Sequence, residues 1–307
     1  MPGAVLSADE VTGQLMPLGL RWQADHGQAS LSGPMLRLAD DCDRAFRIVA
    51  SAFGAGEERH PSVISAELLH RLDYFTSFPH QATFAACLDG DERNIRSFMA
   101  GLPAGPGGIR PGRLAPITAV LTPAACYHVY SAHEGEDHAA PRYFTTSNTC
   151  FRREAAFAPL TRQWGFTMRE VICVGTAGEV GAFLGRARAL AGALCGELGL
   201  PVTWEPATDP FFQPLTNPRY LLQKVAPTKE EAVLDGGLAV ASVNLHHDHI
   251  GAAFGLTRAS QAAHTGCLAF GLERWMYALI TVHGTAPDAW PPVAGAAARA
   301  VAAQEAA

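Results

Sequence analysis

The chain has 307 residues, with 23 Lys and Arg against 29 Asp and Glu and a formal net charge of −6, which excludes nucleic-acid binding driven mainly by bulk positive charge. Apolar residues make up 48% and charged residues 17%, so a large core is available and disorder is excluded as the default state. No run approaches the roughly 18 apolar residues of a membrane span, and the start, MPGAVLSADE, lacks the basic and apolar regions of a signal peptide.

In chain order, Asp40 to Ala55 places Phe46, Val49, Ala50 and Phe53 at helical spacing after an acidic start. Residues 101–116, GLPAGPGGIRPGRLAP, can be neither helix nor central strand and read as a long loop. Val171 to Val174 is a short apolar strand ended by Gly175. Glu179 to Leu198 is the clearest helix: Val180, Phe183, Leu184, Ala187, Leu190, Ala191, Leu194 and Leu198 form one stripe, stopped by Gly199 and Pro201. Leu238 to Leu245 alternates and is β-rich. Cys267 to Ile280 is apolar and helical after Gly271, and the Ala- and Pro-rich end from about Pro287 reads as frayed or loosely helical. Strands and helices mix without a regular βαβ beat, so the expected class is α+β, an antiparallel or mixed sheet with helices. The seven cysteines (Cys42, Cys87, Cys126, Cys150, Cys173, Cys195 and Cys267) are odd in number and form no CxxC pair. That pattern fits reduced thiols in a cytoplasmic chain better than a disulfide scaffold.

Three stretches could carry chemistry. In Phe151-Arg152-Arg153-Glu154, strand geometry puts Arg152 and Glu154 on one face. The guanidinium can fork onto a phosphate or carboxylate, the carboxylate can accept from an adenine amine, Arg162 adds a second cation and Phe166 a flat ring. By spacing alone, the same residues read first as an ordinary surface Arg–Glu pair. In His264 to Trp275, Gly266 and Gly271 precede a helix with Arg274 in its first turn, which suits an anion or is simply a core helix. In SVNLHHDH, strand alternation separates His246 and Asp248 from His247 and His249, so Asn244, His246 and Asp248 are expected to line a polar site.

Taken in order, these motifs resemble motifs 2 and 3 of class II aminoacyl-tRNA synthetases. They are most similar to the catalytic core of atypical, zinc-containing seryl-tRNA synthetases and to their stand-alone homologues, the amino acid:[carrier protein] ligases. Leu121-Thr122-Pro123-Ala124-Ala125-Cys126-Tyr127, the Phe151–Glu154 stretch, Phe166-x-Met168-Arg169-Glu170, Asp209-Pro210-Phe211-Phe212 and Gly271-Leu272-Glu273-Arg274-Trp275 carry the resemblance, from about Arg44 to about His283. It implies an antiparallel sheet flanked by helices over residues 41–290, which leaves an N-terminal extension at 1–40, and the composition of the end reads as a flexible tail at 291–307.

The resemblance also implies roles. Arg152 would hold the α-phosphate of ATP, Glu154 the adenine amine, Arg162 and Arg274 the γ-phosphate, and Phe166 would stack on adenine. Cys126, Glu170 and Cys267 would bind one Zn²⁺ per chain, leaving a fourth position for the amine of a small amino acid, glycine or alanine. Mg²⁺ would accompany ATP, held by Asp248 or by Asn244 and His246 through water. The acceptor would be the phosphopantetheine thiol of an acidic carrier protein. Residues 1–40 hold no heptads and only Arg21 and Arg37 as strong bases, which argues against tRNA. The alternatives are a truncated synthetase that acylates tRNA and a non-catalytic amino acid- or nucleotide-binding paralogue. A homodimer is expected from the resemblance alone.

Overall fold

A computed structural model describes residues 8–101 and 108–306. It begins with helix α1 (Ala8–Leu15) and a hairpin of β1 (Leu20–Gln23) and β2 (Gln28–Leu31). Helix α2 (Gly33–Ser51) follows. Extended Ser32 and Pro34 in the first turn start it seven residues before the expected Asp40. Its buried stripe is Met35, Leu38, Cys42, Phe46 and Val49. The boundary expected between 40 and 41 therefore falls inside one continuous helix.

A seven-stranded sheet forms the body. In chain order its strands are β3 (Gly56–Glu58), β4 (Arg142–Phe151), β5 (Gly165–Gly175), β6 (Val202–Pro206), β7 (Lys229–Leu234), β8 (Leu238–His247) and β9 (His264–Gly271). The spatial order is β6-β7-β8-β9-β5-β4-β3. Every pairing is antiparallel except β3 with β4, which is parallel. The α+β expectation is met, and the short strand expected at 171–174 is the buried end of the eleven-residue β5.

Alternation along β5 splits the molecule into two faces. Val171 and Cys173 join the main core with helices α2, α4 (Ala177–Glu197), α7 (Leu272–His283) and α8 (Val293–Glu305). Phe46 stacks on Phe270 with centroids 4.2 Å apart, and Trp275 packs edge-on to Phe46 at 5.1 Å. Ile172 and Val174 face the other way, against helices α3 (Cys126–Ala132) and α6 (His249–Phe254). Helix α4 opens with a capping box of Thr176 and Glu179 and ends before Gly199 at φ +63°.

The tail expected to be flexible from 291 is instead helix α8. Val293, Ala296, Ala297 and Ala300 are buried, because alanines at three- and four-residue spacing let it lie close on the core. Asp41 Oδ2 accepts from its first N–H, that of Val293, at 2.7 Å. Of the expected loop at 101–116, residues 102–107 lie outside the described residues, and 109–116 form no element beyond one bridge from Leu114 to Leu88. All seven cysteines are free. Among the described residues, no helix is long and apolar enough to cross a membrane.

Candidate active site

The cleft face of the sheet is set by the same alternation. Phe166, Met168 and Glu170 of β5, Cys267 and Ala269 of β9, Ser242, Asn244 and His246 of β8, and Lys229 and Glu231 of β7 all line one cleft of about 510 Å³. Arg152, Glu154, Arg162, Arg274 and Cys126 line it too. Residues from opposite ends of the chain therefore share one space.

Cys126, Glu170 and Cys267 lie 44 and 97 residues apart in the chain. In the fold, one donor atom from each lies within 4.8 Å of the other two, and all three residues are buried. Glu170 Oε1 accepts from the N–H groups of Ala125, at 2.9 Å, and Cys126, at 3.2 Å. The carboxylate thus holds the start of α3 against β5, and its second oxygen is not spent on those bonds. Asn244 sits directly across the β8–β9 ladder from Cys267, and its Nδ2 donates to the sulfur at 3.5 Å. The Cys126 thiol is pushed well above its ordinary range, first by its hydrogen bond to Cys267, then by burial and the Glu170 charge. Such a set is costly to ionise alone and is stabilised by a cation, so the donor chemistry fits a metal ion.

The arginines form the second half. Arg152 Nε donates to Pro123 O at 2.9 Å, and its guanidinium lies 5.3 Å from the centre of the Phe166 ring. Arg274 Nε donates to Thr161 O and its Nη1 to Ala239 O, both at 3.0 Å. Burial, then the charge of Arg152, pulls the Arg274 guanidinium below its ordinary value. A group of like charges held this close is short of anions, as a polyphosphate site is. Arg162 is more than half exposed and pairs with Glu154 at 3.3 Å, a contact worth little in itself.

Three placements differ from the strand-alternation reading. The β8–β9 register shifts between Leu245 and His247, and His247 takes a left-handed φ of +51°. Asp248 is consequently an exposed residue at the start of α6 and does not line the cleft, whereas His247 and His249 do. Asn244 and His246 remain inside. His246 Nδ1 lies 3.0 Å from Thr265 Oγ1, and burial lowers the imidazole's pKa to about 4.

Lys229 belongs to none of the sequence motifs, yet its Nζ lies 3.0 Å from both Asp209 Oδ1 and Glu231 Oε1 within the cleft. Gln223 Nε2, on helix α5 (Pro218–Val225), donates to Asp209 Oδ2 at 3.0 Å and closes the network. The available signal was the period of two that puts Lys229 and Glu231 on one face of β7.

Glu273 was also missed. Thr167 N–H lies 2.9 Å from each of its carboxylate oxygens. Burial pushes its carboxyl from 4.5 up to about 7, against the pull of the Thr167 N–H and of Arg274. The folded state thus holds this proton more tightly than the unfolded chain. The group's stabilising contribution is full below about pH 4.5 and is lost as pH rises through about 7. Glu273→Gln is therefore expected to melt higher than wild type at about pH 8 and nearly level with it at about pH 5. Thermal unfolding at both values checks this, and a gap that ignores pH would contradict it.

A scan against protein-family models finds no match. Amino acid–[acyl-carrier-protein] ligase 1 of Bradyrhizobium diazoefficiens is 35% identical over 259 residues, covering 81% of this chain and 78% of that protein. Ligase 2 of the same organism is 35% identical over 241 residues, covering 76% and 71%. A type-2 serine–tRNA ligase of Methanothermobacter thermautotrophicus is 23% identical over 267 residues, covering 80% of this chain and 51% of that protein. Among solved structures, M. kandleri SerRS bound to A. aeolicus tRNASec superposes with a TM-score of 0.81 at 20% identity, over 96% of this chain and 60% of that one. The last likeness establishes the fold, a class II aminoacyl-tRNA synthetase core. The two ligases, matched over most of their own length, establish that the chain belongs to the amino acid–[acyl-carrier-protein] ligase family.

Proposed function

We propose that this protein is an ATP-dependent ligase that activates a small amino acid, glycine or alanine, as an aminoacyl-adenylate and transfers it to the phosphopantetheine thiol of an acidic carrier protein. The observation that carries the reading is the meeting of Cys126, Glu170 and Cys267 with Arg152, Arg162 and Arg274 in one cleft.

Cys126, Glu170 and Cys267 would hold a zinc ion, which suits two thiolates and a carboxylate and would supply Lewis acidity toward the substrate's α-amino group. Arg152 holds the α-phosphate and the substrate carboxylate together. Arg162 and Arg274 hold the γ-phosphate, which requires Arg162 to exchange its Glu154 partner for ATP. Glu154 then accepts from the adenine amine while Phe166 stacks on the ring. Positioning and neutralisation of charge do the catalytic work, helped by the Mg²⁺ that accompanies ATP.

The substrate carboxylate attacks the α-phosphorus and pyrophosphate leaves. The carrier thiol, releasing its proton to water, attacks the activated carbonyl, and the acyl–oxygen bond to the phosphate breaks as AMP leaves. No protein nucleophile is needed, and the thiols of Cys150 and Cys173 are pushed up by burial, which suits neither to that part. His246, whose Nε2 lies 4.0 Å from Cys267 Sγ, lines the cleft next to the metal donors and favours a small side chain.

The likeness to a tRNA-bound synthetase favours tRNA acylation as the second reading. The net charge of −6 speaks against it, and a cytoplasmic homodimer completes the proposal. Pyrophosphate exchange into ATP is expected with glycine or alanine and not with large amino acids. Exchange with no small amino acid would overturn the reading.

A further inference from the structure

We propose that the N-terminal β1–β2 hairpin, which touches no substrate, is a buttress that positions the triphosphate-binding loop through Gly27. The proposal rests on the reading of the cleft as an ATP site. Residues 20–31 contribute nothing to the cleft lining. The hairpin is nonetheless fixed to the body: Leu20 is fully buried, and Ser32 N–H donates to Gly19 O at 2.9 Å.

Its tip turns through Ala24–His26 and closes at Gly27, with φ +58°. Gly27 O accepts from Trp164 N–H at 2.8 Å. A Cβ built on Gly27 would lie 2.3 Å from Cγ of Phe157, far inside contact distance, so the Phe157 ring rests directly on the glycine. Only glycine supplies both the left-handed turn and this approach.

Within the segment between β4 and β5, Phe157 and Trp164 bracket the stretch that carries Arg162. Between them, Ala158 and Arg162 exchange backbone hydrogen bonds at 2.8 and 3.0 Å. Leu160 is buried in the main core, and Thr161 O receives Arg274 Nε. Trp164 O accepts from Arg152 N–H at 3.0 Å. The loop that presents Arg162, and that adjoins Arg152 and Arg274, thus leans on one glycine at both ends. Moving that support moves the γ-phosphate partner relative to the other two arginines. Gly27 is a positioning residue for ATP, acting through Phe157 and Trp164.

The test is a two-by-two set: wild type, Gly27→Ala, Phe157→Ala and the double variant. Each is read as the KM for ATP in pyrophosphate exchange and as the Kd for ATP by equilibrium titration. Gly27→Ala is expected to raise both about tenfold while the KM for the amino acid and kcat change less than about twofold. Phe157→Ala alone is expected to raise both about threefold or more, and adding Gly27→Ala to it should change them little further. A merely structural glycine would lower the melting temperature without moving the ATP constants. If Gly27→Ala fails to fold, Phe157→Ala carries the test. Unchanged ATP constants in the folded variants, or an equal Gly27→Ala effect with and without the Phe157 ring, would overturn the buttress. A wild type that binds ATP but exchanges with no amino acid would instead sink the assigned activity and leave the Kd comparison decisive.

Discussion

Cys267→Ser is expected to purify with less than about a tenth of a zinc ion per chain, against about one for the wild type. Pyrophosphate exchange should fall by roughly three orders of magnitude in parallel. Cys267 faces the cleft from the centre of the sheet, with Asn244 opposite and Glu170 and Cys126 within reach. A serine hydroxyl fits the same space and can still meet Asn244, so the fold should persist. What it loses is an easily ionised sulfur donor. Cys173→Ser is the matched control, because that buried thiol on β5 belongs to the main core on the opposite face. It should keep both metal and exchange. Metal analysis beside exchange assays decides the matter, and a Cys267→Ser protein with full zinc would remove the cluster from the account.

Arg152→Ala should leave the zinc content unchanged and lower exchange by about a thousandfold. Its Nε is committed to Pro123 O, and its ring-stacked guanidinium lies against Phe166, so the fork is fixed before substrate arrives. Arg152→Lys should recover little of the loss, since an ammonium cannot span a phosphate and a carboxylate at once. Losing the Pro123 bond costs only about 1 kcal/mol of stability, so the variant should remain folded. Rates near wild type in Arg152→Ala would place the α-phosphate elsewhere.

Much of this architecture could be read before any coordinates. The stripe from Val180 to Leu198 and its glycine stop defined one helix. Arg152 and Glu154 both line the cleft, but β4 ends at Phe151, so strand alternation is not what brings them there. Alternation failed at His247, where a register shift and a left-handed residue turn Asp248 out of the cleft. A bulge is a property of two paired strands, and neither alone announces it. The tail failed for a similar reason: alanines look featureless until α2 and Asp41 supply a surface and a cap. No spacing rule unites Cys126, Glu170 and Cys267. Only the resemblance proposed them, and the β5–β9 register, which pairs Cys267 with Ile172 and Ala269 with Glu170, explains how two of them share a face.

The most direct test of the account is the intact mass of a holo carrier protein after incubation with the enzyme, ATP and glycine or alanine. The mass should rise by one aminoacyl group on the phosphopantetheinylated carrier, with none on the unmodified carrier and none on total tRNA. Charged tRNA beside carriers that all stay unloaded would contradict it.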